Sequence, residues 1–272
     1  MVLRHMQMRT KQKMAAPMEE IVEFHSFYYL KLLLLLYITI SCILYISVQF
    51  VYQNKRIPHN QNILLITAHP DDECMFFAPS LLELGTVNSL SVVCVTTGNY
   101  YGQGEVRKKE ILKSCEVLGI CKHDVHVLDD SSFPDDPKVE WDLLKLQQEI
   151  QSFVSQYKPS IILTFDHGGV SGHPNHKAMS QVVRIMYAEK KFPNSTVVLE
   201  LDSVSLLRKY ISFLDLPMSL HSSHWTFISS LPSVFRAQKA MRAHCSQLEW
   251  FRYLYIVFSR YMFINTFTEV KV

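Results

Sequence analysis

Two short stretches of the chain carry groups that could perform metal-assisted hydrolysis. The first, Ala68-His69-Pro70-Asp71-Asp72-Glu73, offers one imidazole and three carboxylates. The second, Ser171-Gly172-His173-Pro174-Asn175-His176, adds two imidazoles about a hundred residues later, with Asp166 nearby. A catalytic zinc takes three protein ligands of the His and carboxylate type and keeps a fourth position for water. The ion lowers the pKa of that water toward neutrality, so a neighbouring carboxylate can complete its deprotonation. A histidine outside the ligand set could then protonate a leaving amine or stabilise a tetrahedral oxyanion. Residue types and spacing alone leave open which histidines bind metal. The competing reading of Asp71-Asp72-Glu73 is a solvated acidic loop that caps the next helix. No Gly-x-Ser-x-Gly elbow and no cysteine with an evident activating partner offers a different nucleophile.

The elements that must position these groups follow from hydrophobic patterning. Residues 62–67 form a short apolar run rich in β-branched side chains, as a buried parallel strand requires. Pro70, which lacks an N–H, ends that strand and holds His69 extended. Further strands are expected at 89–97, 124–128, 160–165, 196–201 and 224–229. Helices are expected at 74–84, 105–118, 141–157, 175–189, 232–244 and 247–261. This alternation predicts an α/β fold: a Rossmann-like, mostly parallel sheet with helices on both faces. Both histidine stretches follow strands, and open α/β sheets bind ligands beyond the carboxyl ends of their strands.

The first sixty residues read differently. Residues 1–31 are a polar N-terminal segment, disordered at least through residue 20. Residues 32–52 are almost wholly apolar and long enough, at about 1.5 Å per residue, to cross a bilayer core of about 30 Å. Phe27, Tyr28 and Tyr29 at one end, with Tyr52, Lys55 and Arg56 at the other, suit the two interfaces. The expectation is therefore one N-terminal transmembrane helix, a linker at 53–61 and a catalytic domain at 62–272. The lipid bilayer is then a partner. A net charge of +2 with no basic stripe argues against nucleic acid. The six cysteines lack paired spacing and read as reduced thiols.

Taken together, the His69 and His173 stretches resemble the LmbE-like family of zinc-dependent de-N-acetylases. Met75-Phe76-Phe77-Ala78-Pro79, Gly98-Asn99-Tyr100-Tyr101, Gly104-Glu105-Val106-Arg107-Lys108-Lys109-Glu110, Phe133-Pro134-Asp135-Asp136-Pro137, Thr164-Phe165-Asp166, Leu207-Arg208-Lys209-Tyr210-Ile211-Ser212 and Phe258-Ser259-Arg260-Tyr261-Met262 are similar to its eukaryotic membrane branch. The resemblance covers about residues 60–265. It implies removal of the N-acetyl group from an N-acetylglucosaminyl phosphatidylinositol, a glycolipid precursor of membrane-protein anchors. It also implies an endoplasmic-reticulum location with the domain facing the cytosol. By the same resemblance His69, Asp72 and His176 hold a divalent metal, expected to be zinc. Asp71 is the general base and His173 the general acid or oxyanion partner. Bacterial relatives commonly carry Asp where this chain has Asn175, so Asp166 becomes the substitute candidate for orienting His173. Tyr100, Arg107 and Lys108 are substrate-binding candidates, the two cations as possible phosphate contacts; the alternative for them is an ordinary solvated face. The aromatic stretch 250–258 is expected to be a core helix, the alternative being a membrane-surface helix suited to a lipid substrate. A zinc amidase acting on a soluble aminosugar and an inactive membrane scaffold are the rival readings.

Overall fold

The computed structural model describes residues 22–23, 25–47, 57–222 and 225–271. The chain divides into two compact units, Met1–Gln53 and Asn54–Val272. In the first, helix α1 (His25–Ser47) has 23 residues, and its most apolar 18-residue window has a mean hydropathy of 2.1. By length and composition it can cross a membrane. It begins seven residues before the expected anchor, because Phe27, Tyr28 and Tyr29 continue the helix. The polar segment 1–20, residues 48–52 of the expected anchor and residues 53–56 of the expected linker lie outside the described residues.

The second unit is built on β1 (Asn62–Thr67), whose Leu64, Leu65 and Ile66 are fully buried. Burial on both faces of the strand explains its unbroken apolar run. After β1 come α2 (Asp72–Met75), α3 (Ala78–Leu84), β2 (Ser89–Cys94), α4 (Gly104–Leu118), β3 (Val125–Val127), α5 (Leu143–Tyr157) and β4 (Ile161–Phe165). One-turn α6 (Gly169–Gly172), α7 (Pro174–Ala188), β5 (Val197–Leu201), α8 (Leu206–Tyr210) and α9 (Leu216–Ser222) come next. β6 (Trp225–Ile228), α10 (Leu231–Ala243), α11 (Trp250–Phe258) and β7 (Ile264–Glu269) complete the order. The sheet runs β3-β2-β1-β4-β5-β7-β6. Its first five strands are parallel, and β7 pairs antiparallel with both β5 and β6. Helices α2, α3, α4 and α10 pack together as one layer, and α5 packs on α7 in another.

Beyond the unexpected short helices α8 and α9, three differences between sequence and structure bear on the site. The single helix expected at 74–84 is two, broken at Phe76 and Phe77, with Pro79 in the first turn of α3. The buried Asn265 side chain holds the break. Its Nδ2 donates to Phe76 O at 2.7 Å, and its Oδ1 accepts from Ser80 N at 3.1 Å and Ser80 Oγ at 3.0 Å. Asn265 lies on β7, which was not expected at all. Its sequence Ile264-Asn265-Thr266-Phe267 buries two polar residues and so lacks the apolar run of a core strand. Finally, α11 is not a core helix. Tyr255 and Ile256 are buried, but Trp250, Phe251, Tyr253, Leu254, Val257 and Phe258 are exposed.

Candidate metal centre and its pocket

Strands β1 and β4 are parallel neighbours, so the loops after them emerge side by side. This is also where the strand order reverses, from β1-β2-β3 on one side to β4-β5 on the other. Such a switch point is the usual ligand crevice of an open α/β sheet. There the loops open a pocket of about 860 Å³ lined by His69, Asp71, Asp72, His173 and His176.

Asp72, at the start of α2, folds back over the strand end. Its Oδ2 accepts the backbone N–H groups of Ala68 at 3.0 Å and His69 at 2.8 Å. Its Oδ1 lies 3.2 Å from His176 Nε2. His69 Nδ1 is 3.2 Å from the same His176 nitrogen and 3.8 Å from Asp72 Oδ2. Ligands around a tetrahedral ion at about 2.0–2.2 Å stand roughly 3.3–3.6 Å from one another, so this donor set fits a metal. The opposite ring nitrogens support the same arrangement. His69 Nε2 is 3.2 Å from Asp135 Oδ1, and His176 Nδ1 is 3.1 Å from Gly169 O. Protons on those nitrogens leave the inward lone pairs free, the usual way a metal-binding imidazole is oriented. Gly169 has φ of 56°, and a Cβ there would stand 2.9 Å from that of His176. Phe165 fixes the imidazole plane by stacking on it at 4.0 Å and 3°.

Burial disfavours a charge on His69, but the hydrogen bond to Asp135 and the charges of Asp72, Asp135 and Asp71 outweigh it and raise its pKa. Burial likewise opposes ionisation of Asp72. The neighbouring His176, with His69, more than offsets that and holds Asp72 well below the usual carboxylate range.

His173 caps α7 with its side chain, its Nδ1 accepting from Asn175 N at 3.3 Å. That hydrogen bond puts the ring proton on Nε2. Burial first, then the neighbouring His69 and His176, push His173 down to about 4. His173 also presents a ring nitrogen within 4.8 Å of those of His69 and His176, so all three imidazoles are close enough to share an ion. The occupied Nδ1 of His173 and the shorter Asp72 distances favour Asp72 as the third donor.

Asp71 has φ of 126°, a backbone region unusual for any residue but glycine. The Asp71 N–H donates to Glu73 Oε2 at 3.1 Å, and Asp71 O accepts from Met75 N at 2.9 Å. Its carboxylate meets Arg252 Nη2 at 3.1 Å and Arg107 Nη2 at 3.8 Å. Behind it, Glu73 points away from the pocket, taking His244 Nε2 at 2.8 Å and Ser114 Oγ at 2.5 Å.

Asp166 does not orient His173. Its Oδ1 accepts from Gly168 N and Gly169 N, both at 3.0 Å, and from Ser203 Oγ at 2.5 Å; its Oδ2 accepts from Ser203 N. These bonds use the carboxylate to shape the loop, as short acidic side chains commonly do. The Asn175 side chain turns to His69 Nε2 at 3.1 Å, and its backbone amide is what meets His173. Lys108 lies outside the pocket lining, paired with Glu105 and Asp129 at 2.9 and 2.6 Å. Arg107 does line the pocket, but its donors serve Pro70 O at 2.7 Å, Gly98 O at 2.9 Å and Asp135 Oδ2 at 3.4 Å. Gly98 is needed there, since a Cβ would stand 2.4 Å from the guanidinium carbon. Tyr100 lines the pocket and is half exposed. Sequence reasoning gave no role to Asp135, Lys209 or Arg252, all of which line the pocket. The signals were present: Asp135 and Lys209 stand in family-like segments, and Arg252 is the cation within an aromatic run.

The family described as PIG-L, GlcNAc-PI de-N-acetylase, matches residues 64–187. A Bos taurus protein named N-acetylglucosaminyl-phosphatidylinositol de-N-acetylase is 49% identical over 205 residues, covering 75% of this chain and 81% of its own. The chain belongs to this family. A Schizosaccharomyces pombe PIG-L relative, named as a probable enzyme of the same kind, is 38% identical over 75% of this chain and 85% of its own. Among solved structures, N,N'-diacetylchitobiose deacetylase from Pyrococcus horikoshii superposes with a TM-score of 0.55 at 15% identity. The match spans 76% of this chain and 83% of that one, a likeness of fold. PIG-L and LmbE-like deacetylases are metal-dependent, which agrees with the donor set at the switch point.

Proposed function

We propose that the chain hydrolyses the N-acetyl group of N-acetylglucosaminyl-phosphatidylinositol, yielding acetate and the glucosaminyl lipid. This is the second step of glycosylphosphatidylinositol-anchor synthesis. The observation that carries the site assignment is the close set of His69 Nδ1, His176 Nε2 and Asp72 Oδ1, with Asp71 and His173 beside it on one pocket. His69, Asp72 and His176 hold the divalent ion, for which zinc suits two imidazoles and a carboxylate. When bound, the ion polarises the amide carbonyl and makes water a stronger nucleophile at neutral pH.

The chain's own residues do the rest. Asp71, held by Arg252 and turned inward by its unusual backbone, takes the proton from the attacking water. The Nε2–H of His173 faces the reacting group and stabilises the oxygen as negative charge develops on it. As the C–N bond breaks, the departing nitrogen takes the proton that Asp71 accepted from water and leaves as the glucosaminyl amine, returning Asp71 to its carboxylate. Asp135 keeps His69 oriented throughout. Family membership favours this reading over a soluble aminosugar or an inactive scaffold, and α1 supports a membrane protein. The exposed aromatic side chains of α11 at the pocket suit a substrate whose acyl chains remain among lipids.

Metal content and deacetylation measured on the same detergent-solubilised full chain test the proposal. About one ion per chain, with acetate release from the lipid that a chelator abolishes, is expected. Full turnover in metal-free protein would sink it. For topology, we place the domain on the cytosolic face of the endoplasmic reticulum, where the exposed Asn194 of the Asn194-Ser195-Thr196 sequon stays unmodified. A glycosidase-sensitive mass shift lost in Asn194→Gln would reverse the orientation.

A further inference from the structure

Lys209 is the strangest charge in the domain. It sits on α8, lines the pocket and is only 9% exposed, yet among the described residues it pairs with no carboxylate. Its ammonium group rests over aromatic faces, 5.9 Å from the Phe76 ring centre and 5.8 Å from that of Tyr210. The charge that acts on it most directly is another cation, Arg252, and burial together with that neighbour lowers its pKa. Arg252 is itself incompletely satisfied. Its Nη2 serves Asp71, its Nη1 lies against the Met75 sulfur, and its buried Nε has no acceptor. Burying an ammonium group without a counter-ion is costly, and a like charge beside it adds to the cost. Such an arrangement is relieved by an anion that arrives from outside.

We propose that Lys209, with the Nε side of Arg252, forms an anion subsite that receives the phosphodiester of the substrate. The assignment rests on the functional reading above, because the phosphodiester is the one anionic group of that glycolipid. It differs from a placement at Arg107, whose terminal nitrogens already serve Pro70, Gly98 and Asp135 and leave only its buried Nε without an acceptor, and at Lys108, paired with Glu105 and Asp129 outside the pocket. The location is suitable. Phe76 neighbours both Lys209 Nζ, at 5.9 Å, and the imidazole of the metal-ligand candidate His176, at 5.8 Å from its ring centre. The subsite therefore shares a wall of the pocket with the proposed metal site, a separation that a sugar and an inositol can span.

Two soluble substrates separate phosphate from lipid: N-acetylglucosaminyl-inositol carrying a methyl phosphodiester, and the same molecule without it. Lys209→Met in the full chain should raise KM for the phosphodiester compound by about 10- to 100-fold, the usual scale for a charge-assisted contact. The increase should be several-fold smaller for the phosphate-free compound, and Lys209→Arg should restore most of the loss. If Lys209→Met fails to fold by thermal unfolding, Lys209→Gln carries the same comparison. Calorimetric binding of glycerophosphoinositol reads the subsite without turnover and should weaken equally. Wild-type protein that binds glycerophosphoinositol through Lys209 but deacetylates neither compound would overturn the functional reading and leave the subsite standing. Wild-type protein that deacetylates both, with Lys209→Met impairing both alike, would overturn the subsite and leave the function intact.

Discussion

The two ends of the sheet supply the pocket with opposite chemistry. The parallel part, β3-β2-β1-β4-β5, contributes metal donors and acids, His69, Asp71, Asp72, Asp135, His173 and His176, with one cation, Arg107, whose terminal nitrogens are held by Pro70, Gly98 and Asp135. The C-terminal part, from α8 through β7, contributes Lys209 and Arg252 with the aromatic Tyr210, Trp250 and Tyr255. In the first part the groups sit on loops and helix starts at the carboxyl ends of parallel strands, His69 two residues after β1, where small displacements are resisted by the sheet. In the second they sit on short helices packed over that site, Tyr255 tied by its hydroxyl to Met75 O at 2.8 Å. Reacting groups need positions fixed to fractions of an ångström. A surface that sorts substrates by charge and shape tolerates more freedom, and helices laid over a finished centre can provide it.

Breaking the parallel side should have the largest effect. His69→Ala or Asp72→Ala removes one of three proposed ligands, so both metal and deacetylation should fall to background. Stoichiometric metal retained in both variants would refute the ligand set. Asp71→Asn keeps size and hydrogen-bonding reach but cannot accept the proton. Turnover should drop about 10²–10⁴-fold with metal retained, and loss of the ion in this variant would make Asp71 a ligand instead.

The buried Glu73–His244 pair joins the two parts across 171 positions of sequence, and its effect should be read as stability. Burial opposes the charge on Glu73, but His244 and Ser114 hold its pKa below the ordinary 4.5. That contribution is present above pH 4.5 and fades as pH falls through the lowered value. Burial also opposes the charge on His244, but Glu73 raises its pKa above the ordinary 6.5. That contribution is complete below pH 6.5 and fades as pH climbs through the raised value. The pair should therefore stabilise most fully between about pH 4.5 and 6.5. Glu73→Gln should cost about 1–3 kcal/mol within that window and flatten the pH dependence of thermal unfolding. An unchanged pH profile would show the pair to be neutral.

The smallest effect sharpens the comparison from outside the pocket. Lys108 forms only surface ion pairs, so Lys108→Ala should leave KM for the glycolipid within about twofold. A tenfold rise would return Lys108 to the phosphate and count against Lys209.

Most of the parallel side was legible in the sequence. Strand β1 buries both faces and so shows an apolar run; Pro70 and the acids after it mark a turn at a strand end; histidines three apart follow β4. These are local signals, and their chemistry needs residue types that few other roles explain. Family-like segments extended that legibility to the assigned roles. What the sequence could not decide was partnership between distant residues. Asp166 and Asp135 are both acids in loops near the motifs, and only packing turned one to Ser203 and the other to His69. Arg107 and Lys108 adjoin on one helix, yet its rotation sends one into the pocket and the other to solvent. Strand β7 escaped notice because its polar Asn265 is satisfied by Phe76, 189 positions away, and Thr266 by Arg260 in the preceding turn, so its buried pattern is not apolar. The single letters of Lys209 and Arg252 carry no trace of burial. Chain order determined which chemistry was available; the crossing of elements more than a hundred residues apart decided which charges were neutralised and which were left to meet a substrate.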